Sequence, residues 1–409
     1  MEKIIIKGGI SLYGEVGIGG SKNAALPVLF STLIARGVSK IHNVPDILDV
    51  RVTLEILENF GARIQRNGNT LIIDTSVLHY TEPSCSHVTK IRASTYLIGA
   101  SLARFGKVKI SDFGGCAFAK RPIDLHLLAA ERFGASITGD MLYAEQIRGT
   151  EIEFSKCSVG ATANALILAS AARGESRIIG YAKEPHILCL IDFLRSMGAK
   201  ITLSDTHLTV IGGELSGGEC SIIGDMIEAG TYLAAGLLTD GAVSVRGVSV
   251  SDMAAFCDTL RDMGAEVVES EESISARRGD FCRYVKVTAE PYPAFPTDLQ
   301  PIMAPLIAVF AGGEIYDRVF PTRFGYLDSL SAFGIAFQRH NGGVIIEKSR
   351  IIPAAATAPD LRGGAACIIT ALAAYGESAI LSPEIIMRGY ESPIEKLNAL
   401  GADATIVSD

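Results

Sequence analysis

The sequence predicts an α/β protein built from six copies of one module, with helices inside and sheets outside. Three observations predict it. First, a short phrase recurs: an apolar residue, then Gly, in five of six copies Ala, then a β-prone run. It reads ENFGARIQ, ERFGASIT, RSMGAKIT, RDMGAEVV, SAFGIAFQ and NALGADAT. Its glycines, at positions 61, 134, 198, 264, 334 and 401, lie 73, 64, 66, 70 and 67 residues apart. Second, another phrase keeps the same beat, an apolar helix that stops at a glycine and passes into a strand. Third, one helix in each module is apolar nearly all round.

In chain order the second phrase reads LPVLFSTLIARGVSKI, TYLIGASLARFGKVKI, NALILASAARGESRII, TYLAAGLLTDGAVSV, PIMAPLIAVFAGGEIY and ACIITALAAYGESAIL. The glycine after each helix is the residue expected in the left-handed conformation that ends a helix and turns the chain into a strand. Each module, about 68 residues long, therefore holds two helices and several short strands. That period is too long for a solenoid. A chain of 409 residues also exceeds one ordinary core, so the modules are expected to group into two lobes. Segments such as Ala161–Ala172 and Ala366–Ala374 have no polar face, so they should be buried on every side. Helices inside and sheets outside reverse the usual layer order.

Composition narrows the function. Hydrophobic residues are 48% and charged residues 20%, as in a well-packed globular protein. No run of 18 apolar residues is present, and the longest, PIMAPLIAVFAGG, is too short to span a bilayer. MEKIIIKGG has no basic segment leading into a long apolar one, so no signal peptide and a cytoplasmic location are expected. The eight cysteines are scattered without a CxxC pair or a Cys/His cluster. They are expected to be reduced thiols rather than a metal site. A net charge of −8 argues against a nucleic-acid partner, yet leaves room for a local basic pocket around a small anion. GGISLYG has the wrong spacing for a phosphate-binding loop, no GxGxxG follows a strand, and no cofactor is expected.

Four places carry candidate chemistry. In GGSKNAALP, Ser21 or Asn23 can cap the following helix, and Lys22 beside a helix start suits an anion; an ordinary helix start with a solvated lysine fits equally. In FGGCAFAKRPIDLH, Gly114 and Gly115 permit close backbone approach before Cys116, and Lys120 and Arg121 would favour a thiolate and an anion. By local chemistry alone, however, Cys116 reads first as a buried, inert thiol. His126 is its nearest histidine in sequence, but no cysteine-protease signature surrounds the pair. In PYPAFPTDLQP, three prolines and Phe295 fix the backbone ahead of Asp298, which reads equally as a general base or as the cap of the next helix. Finally Arg92, Arg323, Arg362 and Arg388 stand beside glycines, small or turn residues at module ends, as if converging on an anion.

Taken together, GGSKNAALP, GGCxxxxRPxDLH, SVGAT, PAFPTD, DLR and RGYE, in that order across essentially the whole chain, resemble the enolpyruvyl transferases. Within them the match is to the members that act on UDP-N-acetylglucosamine in peptidoglycan precursor synthesis. The resemblance implies the inside-out α/β barrel fold, two domains of three pseudo-repeats each. One would comprise 1–20 with 227–409, carrying Asp298, Arg362 and Arg388. The other, 21–226, would carry Lys22, the Cys116 loop as a lid, and a uridine pocket. The implied reaction is addition–elimination between phosphoenolpyruvate and the sugar 3-hydroxyl, with release of phosphate. Cys116 would donate the proton to C3 and be the target of fosfomycin; Asp298 would be the base. Lys22, Arg121 and Arg388, with Arg92 and Arg362 nearby, would hold phosphoenolpyruvate. Asn23 would contact the sugar, and Arg121, Pro122, Ile123, Asp124, Leu125 and His126, with Lys156, Ser158, Val159 and Gly160, would form the uridine-diphosphate pocket. No metal, nucleic acid or membrane is implied, and a monomer or weak oligomer is expected.

The chain departs from the family at some positions. Leu48 stands where lysine is common, Pro321 where an acidic residue is common, His186 for Glu and Met226 for Arg, and DLRGG replaces DLRAS. Two other functions therefore stay open: the same chemistry on another uridine nucleotide such as UMP, or non-catalytic binding of a uridine nucleotide.

Overall fold

The structure is a computed structural model and describes residues 2–82, 91–110, 122–280 and 283–408. The described helices are, in chain order, α1 (Lys22–Ser31), α2 (Leu48–Asn59), α3 (Leu97–Phe105), α4 (Asp124–Arg132), α5 (Val159–Ala171) and α6 (Pro185–Ser196). They continue with α7 (Met226–Leu238), α8 (Val250–Met263), α9 (Gln300–Phe310), α10 (Tyr326–Ser331), α11 (Leu361–Ala373) and α12 (Pro393–Ala399). The odd-numbered helices are those of the apolar phrase, and the even-numbered ones precede the Gly-Ala phrase. The chain divides into two compact units, one holding the described residues up to Gly19 and from Gly224 onward, the other the described residues between.

Within the first unit, α7, α9 and α11 pack on one another, and three four-stranded sheets cover them. Within the second, α3 packs on α1 and α5, and the described strands form two four-stranded sheets and one three-stranded sheet. Every residue from Ala161 to Ser170 of α5 is buried, as is every residue from Leu361 to Leu372 of α11. Helices without a polar face have no other stable place. Each fully buried Leu or Ile, such as Leu166, Ile167 and Leu168, contributes roughly 1.5–3 kcal/mol. This is the inside-out arrangement that the sequence predicts.

The glycine beat has a backbone cause. All six glycines of the Gly-Ala phrase adopt φ between 86° and 115°, the left-handed region that other residues enter at a cost. In the second phrase Gly37, Gly106, Gly174, Gly312 and Gly376 also have positive φ. The fourth copy, TDGA, differs: Asp240 takes the left-handed conformation at φ 58°. Gly241 is needed there for space, since a Cβ on it would fall 1.9 Å from the Leu12 carbonyl oxygen.

The sixth module is completed by the start of the chain. Strand Glu2–Gly8 lies between Gly376–Leu381 and Asp403–Ser408, antiparallel to both, with Ile4 opposite Ile380 and Ile406. Its alternating burial puts Ile4 and Ile6 on the core face, as the two-residue period of a strand requires.

Candidate active site

Each unit carries one cluster of the residues singled out above. In the second unit, the chain turns at Gly20 against Asn43, and Lys22 is the first residue of α1. Ser21 occupies the capping position but makes no side-chain cap bond. The Lys22 ammonium instead lies 2.6 Å from Asp49 Oδ2, with side-chain exposures of 12% and 3%. Asp49 stands in the first turn of α2, where the helix dipole also favours a carboxylate. Asn23 follows Lys22 on α1. Arg92 opens a 3₁₀ turn, Arg92–Tyr96, and its Nη2 donates to the Pro122 carbonyl at 3.3 Å. Burial pulls its pKa below the usual arginine range.

Pro122 and Ile123 lead into α4, which begins at Asp124 and buries Leu125 and His126 against the core. Ser158 caps α5, its Oγ accepting from Ala161 N at 3.4 Å, so that Val159 and Gly160 form the helix start. Gly160 lies directly under the His126 ring: a Cβ there would be 2.8 Å from His126 Cε1 and 3.0 Å from Nε2. Lys156 and Cys157 are exposed beside this turn. Gly114, Gly115, Cys116, Lys120 and Arg121 lie outside the described residues.

In the first unit, the PAFPTD segment is held by Phe295, which is buried and tilted against Phe256 with ring centroids 6.2 Å apart. Glu290 N donates to Phe295 O at 3.1 Å, and Leu299 N to Pro296 O at 3.0 Å. Asp298 stands one residue before the capping position of α9, which is Leu299. Its carboxylate is gripped by two arginines. Arg323 Nη1 donates to Oδ1 at 2.7 Å, while Arg362 Nε and Nη2 both donate to Oδ2 at 3.3 Å. Both guanidinium-bearing side chains are 2% exposed, and that of Asp298 is 24% exposed.

Two further contacts aim these arginines. Asp317, buried, accepts from Thr297 Oγ1 at 2.5 Å and from the amides of Val319 and Phe320 at 2.9 and 2.7 Å. The Thr297 hydroxyl and carbonyl each accept from Arg323 Nη1 at 3.2 Å. Arg362 lies over the Tyr390 ring, 5.4 Å from its centroid, and Tyr390 Oη shares a 2.9 Å hydrogen bond with Thr231. Burial is the strongest single influence and depresses the Arg362 pKa, but Asp298, Tyr390 and Asp225 together outweigh it and raise the value. Asp360 caps α11 with Oδ1 accepting from Arg362 N and Gly363 N, which fixes the backbone of DLRGG. Arg388 ends the 3₁₀ turn Pro383–Arg388, two residues before Tyr390.

Sequence reasoning placed Asp298 on a rigid loop and Arg323 and Arg362 near an anion; the anion they meet inside this unit is Asp298 itself. It missed Asp49, Asp317, Thr297 and Tyr390. Asp49 stands in NVPDILDV, a helix start one residue past Leu48, and a carboxylate there was the available signal. Among the described residues no group of three or more His, Cys, Asp or Glu is arranged to hold a metal ion.

Comparison with known proteins decides the family. Residues 6–397 match the family described as EPSP synthase (3-phosphoshikimate 1-carboxyvinyltransferase). The chain belongs to this family. This carboxyvinyl transferase is 38% identical over 414 residues to a UDP-N-acetylglucosamine 1-carboxyvinyltransferase of Chlorobaculum parvum, covering 98% of each chain. It is 39% identical over 411 residues to UDP-N-acetylglucosamine 1-carboxyvinyltransferase 3 of Caldanaerobacter subterraneus, covering 98% of this chain and 99% of the relative. In structure it is similar to the enolpyruvyl transferase NikO from Streptomyces tendae, with a TM-score of 0.90 at 25% identity, covering 100% of this chain and 99% of that one. The fold is shared with an EPSP synthase from Acinetobacter baumannii, with a TM-score of 0.74 at 18% identity over the whole of both chains. No helix among the described residues is long and apolar enough to cross a membrane.

Proposed function

We propose that the protein transfers the enolpyruvyl group of phosphoenolpyruvate to the 3-hydroxyl of UDP-N-acetylglucosamine, releasing inorganic phosphate, in the cytoplasm. The observation that carries this reading is the end-to-end similarity to enzymes named for that reaction. In the addition step the sugar oxygen bonds to C2 of phosphoenolpyruvate, its proton passes to Asp298, and Cys116 delivers a proton to C3. In the elimination step a C3 proton returns to the Cys116 thiolate, the C2=C3 bond re-forms and the C2–O bond to phosphate breaks, while Asp298 passes its proton to the departing phosphate, so both groups regain their starting protonation. Charge accumulates on the phosphate and carboxylate oxygens, which Lys22, Arg121 and Arg388, with Arg92 and Arg362, are assigned to hold.

The clusters support parts of this division of labour. Asp298 is fixed in orientation by two guanidinium groups that are themselves aimed by Thr297, Asp317 and Tyr390, so the carboxylate need not be ordered at the moment of reaction. Lys22 is anchored by Asp49, which leaves it a defined position at a helix start. His126 and the first turn of α5 offer hydrogen-bond donors for a nucleotide.

One observation favours a second acceptor. Leu48 is 41% exposed at the start of α2, beside Asp49, where the family commonly places a lysine. A missing cation there suits an acceptor with a different group in that position. Phosphate release in the presence of phosphoenolpyruvate and either UDP-N-acetylglucosamine or UMP separates the two. Turnover with the sugar nucleotide is expected; turnover with UMP alone would replace the acceptor, and turnover with neither would leave a binding protein.

A further inference from the structure

Asn164 lies in the second turn of α5, fully buried, and makes three hydrogen bonds that together determine a proton position. Its Oδ1 accepts from the Gly99 amide at 2.7 Å, and its Nδ2 donates to the Thr95 carbonyl at 3.0 Å. Gly99 N and Thr95 O are the two groups an uninterrupted α-helix would pair with each other. The side-chain amide thus spans the point where the 3₁₀ turn Arg92–Tyr96 passes into α3. Gly99 leaves the room: a Cβ on it would be 2.7 Å from Asn164 Oδ1.

These contacts fix which way the amide faces. Turned over, its NH₂ would meet the Gly99 N–H and its oxygen would meet the Thr95 oxygen, two repulsive contacts in a dry interior. The Nδ2 group is therefore the atom facing His126 Nδ1, 2.7 Å away. An amide NH₂ only donates, so Nδ1 must accept, and a neutral ring that accepts at Nδ1 carries its proton on Nε2.

We propose that Asn164 is a positioning residue that keeps Nδ1 of His126 an acceptor and so makes Nε2 a standing donor toward the nucleotide at the start of α5. The proposal rests on the assignment of that helix start to nucleotide binding. His126 is 6% exposed, and its bond to Asn164 uses Nδ1 alone. Its Cε1–Nε2 edge packs on Gly160, in the first turn of α5, whose Val159 and Gly160 amides a helix start leaves without intrahelical acceptors. On that assignment the ring adds a third donor to the two amides for an acceptor-rich ligand. Protonation of the ring would set an N–H against the Asn164 NH₂. Burial, first, and the nearby Arg92 charge oppose it, while Asp124 on the same helix favours it; the balance holds the ring neutral down to about pH 4.

Histidine-labelled full-length protein tests this by long-range proton–nitrogen correlation, with His126 assigned by its loss in His126→Asn. The expected spectrum is a neutral ring protonated at Nε2, unchanged from neutral pH down toward its acid transition. A proton on Nδ1, or titration near the ordinary histidine value, overturns the proposal. In Asn164→Asp the carboxylate accepts from Nδ1–H, so the ring should become doubly protonated near neutral pH. A ring left neutral and Nε2-protonated in that variant would also overturn it. If Asn164→Asp does not fold, the wild-type spectrum still decides. Binding supplies a second readout. Gln at position 126 places an amide NH near Nε2, whereas Asn places it near Nδ1. His126→Gln should hold UDP-N-acetylglucosamine within about threefold of wild type, and His126→Asn should lose about tenfold or more. Equal losses in both would refute the Nε2 donor. Should the protein bind no UDP-N-acetylglucosamine while the spectrum is as expected, the substrate assignment fails and the proton assignment stands.

Discussion

Replacing Asp298 by Asn perturbs a carboxylate paired with two buried arginines. The change keeps the shape and removes the charge that faces Arg323 and Arg362, each 2% exposed. Removing one partner of a buried ion pair costs about 3–5 kcal/mol, because the remaining charge stays desolvated. Asp298 is 24% exposed, so water screens part of this and the lower end, about 3 kcal/mol, is expected. For a unit of this size that lowers its melting temperature by roughly 6–12 °C. Calorimetry of wild type, Asp298→Asn and Asp298→Ala measures it. Phosphate release measured in parallel should fall by about 100-fold or more in both variants, the usual contribution of a general base. Melting within 1–2 °C of wild type in both variants would show that the arginines do not depend on Asp298, and would refute the reasoning.

Three further outcomes are expected. Asp49→Asn leaves Lys22 without its partner at 2.6 Å, and the second unit should lose about 3 kcal/mol in denaturant unfolding, with a raised KM for phosphoenolpyruvate. Gly364→Ser should cost about 1–3 kcal/mol by overpacking, since a Cβ there would lie 2.6 Å from Ile386 Cγ1, and Ile386→Ala should recover part of it in the double variant. His126 titrates at about 4 when folded against 6.5 when free. Between those values the unfolded chain binds the extra proton, so stability should fall as pH drops from 6.5 toward 4, by up to about 3 kcal/mol, and His126→Gln should flatten that part of the profile.

Much of the architecture was legible because it is written in local rules. A glycine that must take positive φ cannot be replaced cheaply, so the Gly-Ala phrase marks the end of α2, α4, α6, α8, α10 and α12 at a regular spacing. Helices such as α5 and α11 betray burial by having no polar face. The TDGA copy obeyed the pattern by a different route, with Asp240 turning and Gly241 making room, which the spacing alone could not reveal. The partners of site residues were not legible. Asp49 is 27 residues from Lys22, Asp317 is 20 from Thr297, and Asn164 is 65 from Gly99. Such pairings depend on how modules fold back, not on periodicity. The DLRGG departure has a packing cause that sequence hides: Tyr326, Pro359 and Ile386 fill the space that larger residues at 363 and 364 would take.

The most direct test of the central claim is the identity of the product. Wild-type protein incubated with phosphoenolpyruvate and UDP-N-acetylglucosamine should release one phosphate for each sugar nucleotide that gains an enolpyruvyl ether at its 3-oxygen, seen by mass spectrometry and NMR. The same incubation with UMP should give a much lower kcat/KM. An unmodified sugar nucleotide after complete incubation, or an ether formed on UMP with the higher kcat/KM, would contradict the assignment.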